Sequence, residues 1–227
     1  MVLKIHGFVF STCTQAVITT LKELGVAYEL VPINLGKGAH KNPDYIATKQ
    51  PFGQIPVLEE EDGFQLYESR AIARYVIAKY GPNSGLIPSG DLRKIALFEQ
   101  AVSVENNNFY PYASGLAQEK IFKPAKGAPS SEERATENFK ALEEKLEVYD
   151  VILGKQKYIA GDEFTLADIL HLPYGTLITA QLGFKALEGP DAKPNVARWW
   201  ADITSRASWK YTQADIAAAA GMQVSNA

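Results

Sequence analysis

Residues 2–33 read VLKIHGFVFSTCTQAVITTLKELGVAYELVPI. Val2 to Phe10 is a short apolar run, the pattern of a buried strand, and a turn follows it. Ser11-Thr12-Cys13-Thr14 then opens a helix running to about Leu24, with Val17, Leu21 and Leu24 at helical spacing. Gly25 stops it. From Ala27 to Ile33 the chain sets Tyr28, Leu30 and Pro32 against Glu29, Val31 and Ile33, as a second strand does. Strand, helix and strand in so short a stretch predict a βαβ unit with a right-handed parallel crossover.

Working outward, Asn34 to Phe52 is polar and irregular, a loop with short helical turns. Pro56–Leu58 and Phe64–Tyr67 read as two short strands, and the Asp62-Gly63 pair between them is a hairpin signal. Glu68 to Ile72 starts another helix, which ends near Tyr80 before Gly81-Pro82. Residues 1–81 therefore read as a compact α/β domain. Residues 82–90, rich in Pro, Gly and Ser, read as a linker. Beyond it, Asp91–Gln118, Ser131–Leu153, Thr165–Leu182 and Pro194–Arg206 carry long amphipathic patterns, so residues 91–227 read as an all-helical domain. Ala217–Ala220 fits a small tail helix or a loose end.

Composition narrows the function. With 227 residues, 46% of them hydrophobic and 22% charged, the chain is ordinary for a globular protein of one large or two modest domains. A net charge of −3 offers no basic surface for a phosphate backbone, so nucleic acid is not an expected partner. Cys13 is the single cysteine, and His6, His40 and His171 lack ligand spacing, so neither a disulfide nor a metal is expected. The opening residues are too interrupted for a signal peptide, and no apolar run approaches a membrane span. The expected setting is cytoplasmic.

Four stretches carry candidate chemistry. Ser11 sits at a strand-to-helix turn, an N-cap position. The same geometry brings a hydroxyl and the positive end of a helix to a sulfur, both of which favour a thiolate. In Phe52-Gly53-Gln54-Ile55-Pro56-Val57, Pro56 enters a strand without an N–H to give the ladder. It is either an ordinary edge proline or a cis Ile55–Pro56 bond that bares the backbone of Ile55. Glu68 and Ser69 open a helix where exposed N–H groups take a carboxylate, or they merely serve the helix dipole and cap. Lys37-Gly38-Ala39-His40-Lys41 is a basic loop. Together these parts fit a zwitterion with two carboxylates and a thiol: Ile55 for its peptide, Glu68 for an ammonium, Ser69 and Lys41 for the carboxylates. Glutathione has those groups.

These motifs resemble the glutathione transferase family, most closely its phi-like, serine-type members. Residues 10–17 resemble the catalytic turn, 34–43 the loop after it, 51–57 the cis-proline strand and 66–72 the γ-glutamyl site; 160–168 resemble a helix-start motif of the second half. The resemblance implies a thioredoxin-like N-terminal domain, an all-α C-terminal domain, a homodimer, and glutathione as co-substrate with no further cofactor. It implies that Ser11 bonds the sulfur and that Gln54, Ile55 and Pro56 hold the peptide backbone. Glu68 and Ser69 would bind the γ-glutamyl group, with His40 and Lys41 near the glycyl carboxylate. Cys13 leaves disulfide chemistry open but unexpected. Small hydrophobic electrophiles would lie between the domains, where Phe10, Phe109, Tyr110 and Tyr112 either line the cleft or belong to core and interface. A ligand-binding role, glutathione-dependent peroxidase activity and a non-catalytic interaction module are the alternatives. Thr165 and Asp168 have capping-box spacing, and Phe164 and Ile169 that of a staple, so Asp168 is expected to be structural. Trp199 and Trp200 are expected in the core.

Overall fold

A computed structural model describes residues 2–225 of the chain, with side chains through residue 221. It divides into two compact units: residues up to Ser84 together with those from Arg206 on, and Gly85–Ser205.

The first unit is built on β1 (Leu3–Gly7), α1 (Thr12–Glu23), β2 (Tyr28–Pro32), α2 (Pro43–Thr48), β3 (Val57–Glu59), β4 (Gln65–Tyr67) and α3 (Ser69–Tyr80). The sheet order is β2-β1-β3-β4, with β1 and β2 parallel and β3 antiparallel to both neighbours. Alternation along β1 sends Leu3 and Ile5 inward and Lys4 outward. Leu3 and Ile5 meet Val17 and Leu21 of α1, Leu58 of β3, and Ile72 and Val76 of α3 in one core. Each i, i+4 pair is one helix stripe turned to the sheet. Burial of such a side chain contributes about 1.5–3 kcal/mol.

The last helix, α10 (Ala207–Ser225), belongs to this first unit. The expected boundary had placed residues 206–227 with the helical half. Polar contacts to α1 draw the helix here instead. Thr19 and Thr212 hydroxyls meet at 3.0 Å in a buried contact. Lys22 reaches Asp215 at 2.6 Å. Glu23 takes bonds from Arg206 and Ser208. The uncertain tail is thus part of a long docked helix.

The second unit holds α4 (Leu92–Asn108), α5 (Tyr110–Ala117), a π-helical turn (Gln118–Phe122), α6 (Lys123–Ala125), α7 (Glu132–Leu153), α8 (Leu166–Leu182) and α9 (Pro194–Ser205). The single helix expected over 91–118 is broken at Phe109, whose φ is −123°. Pro111, lacking an N–H, begins the new helix one residue into α5. Part of the expected linker is built in as well: Leu86 is buried and its carbonyl accepts from Leu166 N–H at 2.9 Å.

Asp168 is the polar hub of this unit. Its carboxylate accepts from Thr165 N–H at 2.9 Å, Ile159 N–H at 3.1 Å and Trp199 Nε1–H at 2.9 Å. The reach-back to Thr165 is the capping-box bond that the spacing predicts. Trp199 and Trp200 are buried. A Cβ on Gly175 would fall 2.3 Å from the Trp200 ring, so α8 needs glycine where α9 crosses it. Among the described residues no helix is long and apolar enough to cross a membrane.

Candidate functional site

Register places four connections at one end of the first unit's sheet. Gly7, the last residue of β1, pairs with Pro32, the last of β2. His6 pairs with Val57, which begins β3, and Val57 pairs with Tyr67, which ends β4. The turn before α1, the loop after β2, the approach to β3 and the start of α3 therefore emerge together. They carry Ser11, His40 and Lys41, Gln54 to Pro56, and Glu68 with Ser69, in that order.

Ser11 has extended backbone, φ −77° and ψ 122°, and caps α1 by accepting Thr14 N–H at 3.3 Å. A hydroxyl has one hydrogen and two lone pairs, so this cap leaves its proton to be given elsewhere. Ser11 is half-buried. The turn under it is tied by residues that pattern reading passed over: Ser11 N–H donates to Phe8 C=O at 2.8 Å, and the buried Gln15 amide donates to Val9 C=O at 3.0 Å. Phe10 is half-buried beside Ser11 and packs on Phe8, ring centres 5.2 Å apart.

The Ile55–Pro56 peptide is cis, the second of the two arrangements the sequence allowed. Ile55 lies ahead of the ladder, which starts at Val57. Gln54 is exposed. The loop before it lies close on the His40–Lys41 turn: a Cβ on Gly53, at φ +59°, would meet the His40 carbonyl at 2.7 Å. Lys41 Nζ donates to Phe52 C=O at 3.1 Å and is exposed, and His40 is half-buried.

Glu68 is the one non-glycine among the described residues with positive φ, at φ +70° and ψ 109°. Its side chain does not cap α3 and is exposed. That conformation costs about 1–3 kcal/mol and tends to be kept where function uses it. Ser69 is the first residue inside α3 and is buried. Burial pushes the Cys13 thiol above its ordinary range against the pull of Ser69, Arg70 and Thr12. Cys13 is thus held as a thiol, a poor nucleophile.

Phe109 and Tyr112 fare differently. Phe109 is 0% exposed and stacks on Tyr149 and His171, so it belongs to the helical core, the second of the two roles weighed for it. Tyr112 keeps partial exposure beneath Lys145. A cavity of about 550 Å³ lies elsewhere, lined by Val2, Leu3, Glu60, Glu61, Asp62, Lys79 and Tyr80 at the opposite sheet end, and none of the expected site residues reaches it.

Set beside known proteins, the chain matches the glutathione S-transferase N-terminal domain over residues 1–78 and the C-terminal domain over 109–207. It is 51% identical over 200 residues to glutathione S-transferase PM239X14 of Arabidopsis thaliana, covering 88% of this chain and 90% of that one. A glutathione S-transferase of Hyoscyamus muticus is 38% identical over 209 residues, covering 92% and 96%. Among solved structures, glutathione transferase F7 from Populus trichocarpa superposes with a TM-score of 0.86 at 36% identity, covering 93% and 98%. Glutathione S-transferase I from mais, solved with an atrazine glutathione conjugate, gives 0.85 at 33%, covering 94% and 97%.

Proposed function

The chain belongs to the glutathione S-transferase family, and from that premise we propose that Ser11 activates the glutathione thiol for attack on small hydrophobic electrophiles. One observation carries the reading. The Ser11 hydroxyl spends one lone pair on the cap of α1, which leaves its hydrogen to be donated, at the sheet end where the other expected glutathione contacts emerge.

A free thiol with a pKa near 8.5 is only a few per cent ionised at neutral pH. Lowering it by about two units takes roughly 2.7 kcal/mol of preference for the thiolate. A hydrogen bond to a charged group supplies about 1.5–3 kcal/mol, and a helix N-terminus about 0.3–1 kcal/mol more. Ser11 thus acts as a donor and needs no base. The sulfur attacks the electrophile's carbon, the leaving group departs with the bonding pair, and the thiol proton goes to solvent.

The remaining roles follow the same reading. Glu68 pairs with the γ-glutamyl ammonium, Ser69 and the start of α3 take its carboxylate, Gln54 and Ile55 hold the peptide, and His40 and Lys41 face the glycyl carboxylate. Phe10 offers the electrophile an apolar surface. The working form is a cytosolic homodimer, so sedimentation should return twice the 24.9 kDa of one chain. The lone Cys13 suits a reducing compartment.

Ser11→Ala tests the core of this. Turnover at neutral pH should fall about 10- to 100-fold, the loss of one charge-assisted bond, while calorimetry still detects glutathione. The deficit should narrow as pH rises past the thiol's own pKa. An identical pH–rate profile in the variant removes Ser11 from the chemistry.

A further inference from the structure

The approach to β3, residues 50–56, has no ladder to fix it, since strand pairing begins at Val57. A loop that is to pair with a peptide must nonetheless hold its polar groups at set angles, because freedom left in it is lost on binding. Two side chains outside every motif supply the constraint. Gln50 is 1% exposed, and its Oε1 accepts both Phe52 N–H, at 2.6 Å, and Gln54 N–H, at 3.2 Å. Tyr45, 9% exposed on α2, donates its hydroxyl to Gln54 C=O at 2.8 Å.

We infer that Tyr45 and Gln50 are positioning residues for the bound tripeptide: they occupy the Gln54 backbone so that the pairing edge falls to Ile55. This rests on the transferase reading above. The Gln54 N–H and C=O are both engaged within the protein, which leaves its exposed side-chain amide to meet a ligand. The frame is tied at its other corners too. Lys49 is ion-paired with Glu59 of β3, and the Lys49 and Gln50 N–H groups both donate to Tyr45 C=O, at 2.8 and 3.1 Å. Burial pushes the Tyr45 hydroxyl up to about 12, so it remains a donor at any pH where the enzyme works.

Tyr45→Phe removes one oxygen, and Gln50→Met removes the double acceptor at nearly constant volume. Each should raise the glutathione KM about five- to tenfold while kcat at saturating glutathione stays within twofold and the pH–rate midpoint is unmoved. Gln50→Glu, which keeps an oxygen in place, should restore the KM to within twofold of wild type. A merely structural role would lower Tm and leave the KM where it was. Folded Tyr45→Phe and Gln50→Met proteins with wild-type KM overturn the inference alone, provided the wild type binds glutathione by calorimetry. A wild type that does not bind glutathione overturns the transferase reading and this inference with it.

Discussion

Glu68 holds a backbone that few side chains tolerate, with ψ 109° outside even the small left-handed helical region. Glycine would relieve it at the cost of its own chain entropy, about 0.5–1 kcal/mol against the roughly 1–3 kcal/mol of strain, so the two largely offset. Glu68→Gly should therefore melt within a few degrees of wild type, yet bind glutathione at least tenfold more weakly for want of a carboxylate opposite the ammonium. A large drop in Tm with full affinity would show that Glu68 is there for the fold. The sequence drew notice to Glu68 by its charge and place, but nothing in a glutamate announces positive φ, as asparagine or glycine would. Gln50 and Tyr45 were illegible for a related reason. Their partners are backbone groups of a loop, and a side-chain-to-backbone bond leaves no pattern in either residue.

The contact between α1 and α10 belongs to the next scale. Burial pushes the Glu23 carboxyl up, but bonds from Arg206 and Ser208 outweigh it and hold the group below its ordinary 4.5. A carboxyl whose folded pKa is depressed adds stability above its unfolded value and loses it as pH falls through the folded one. Glu23→Gln should thus lower the free energy of unfolding by about 1–2 kcal/mol at pH 7, and the gap to wild type should narrow as pH falls below the ordinary 4.5 of the carboxyl. A gap that is constant across that range counts against the anchor. Elements with strong periodicity were legible: β1, α1, β2, the hairpin, α3, α7, α8 and α9 fall where patterning put them, within a residue or two at most ends. The break at Phe109 was not, because Pro111 is tolerated in a helix's first turn and so marks either a start or a kink.

At the scale of the molecule, the chain leaves the first unit at Ser84 and returns at Arg206. Two-domain organisation was readable from the change in character near residue 90. The return was not, since α10 is rich in alanine and its few polar anchors, Arg206, Ser208, Thr212 and Asp215, resemble any solvated helix face. Residues 1–84 alone should accordingly melt at lower temperature than the same residues joined by a flexible linker to 206–225. Circular dichroism on both proteins decides this, and equal midpoints would mean that α10 adds nothing to the fold beneath it. Thr212 gives its hydrogen to Ser208 C=O and so can only accept from Thr19, a contact that waits for the far end of the chain. A ribosome adding about 5–20 residues per second needs on the order of 10 s to travel from the first exit to the return. Residues 1–84 therefore reach their finished packing only after the helical unit has been made, and a nascent chain stalled in between carries a sheet whose supporting helix has yet to be translated.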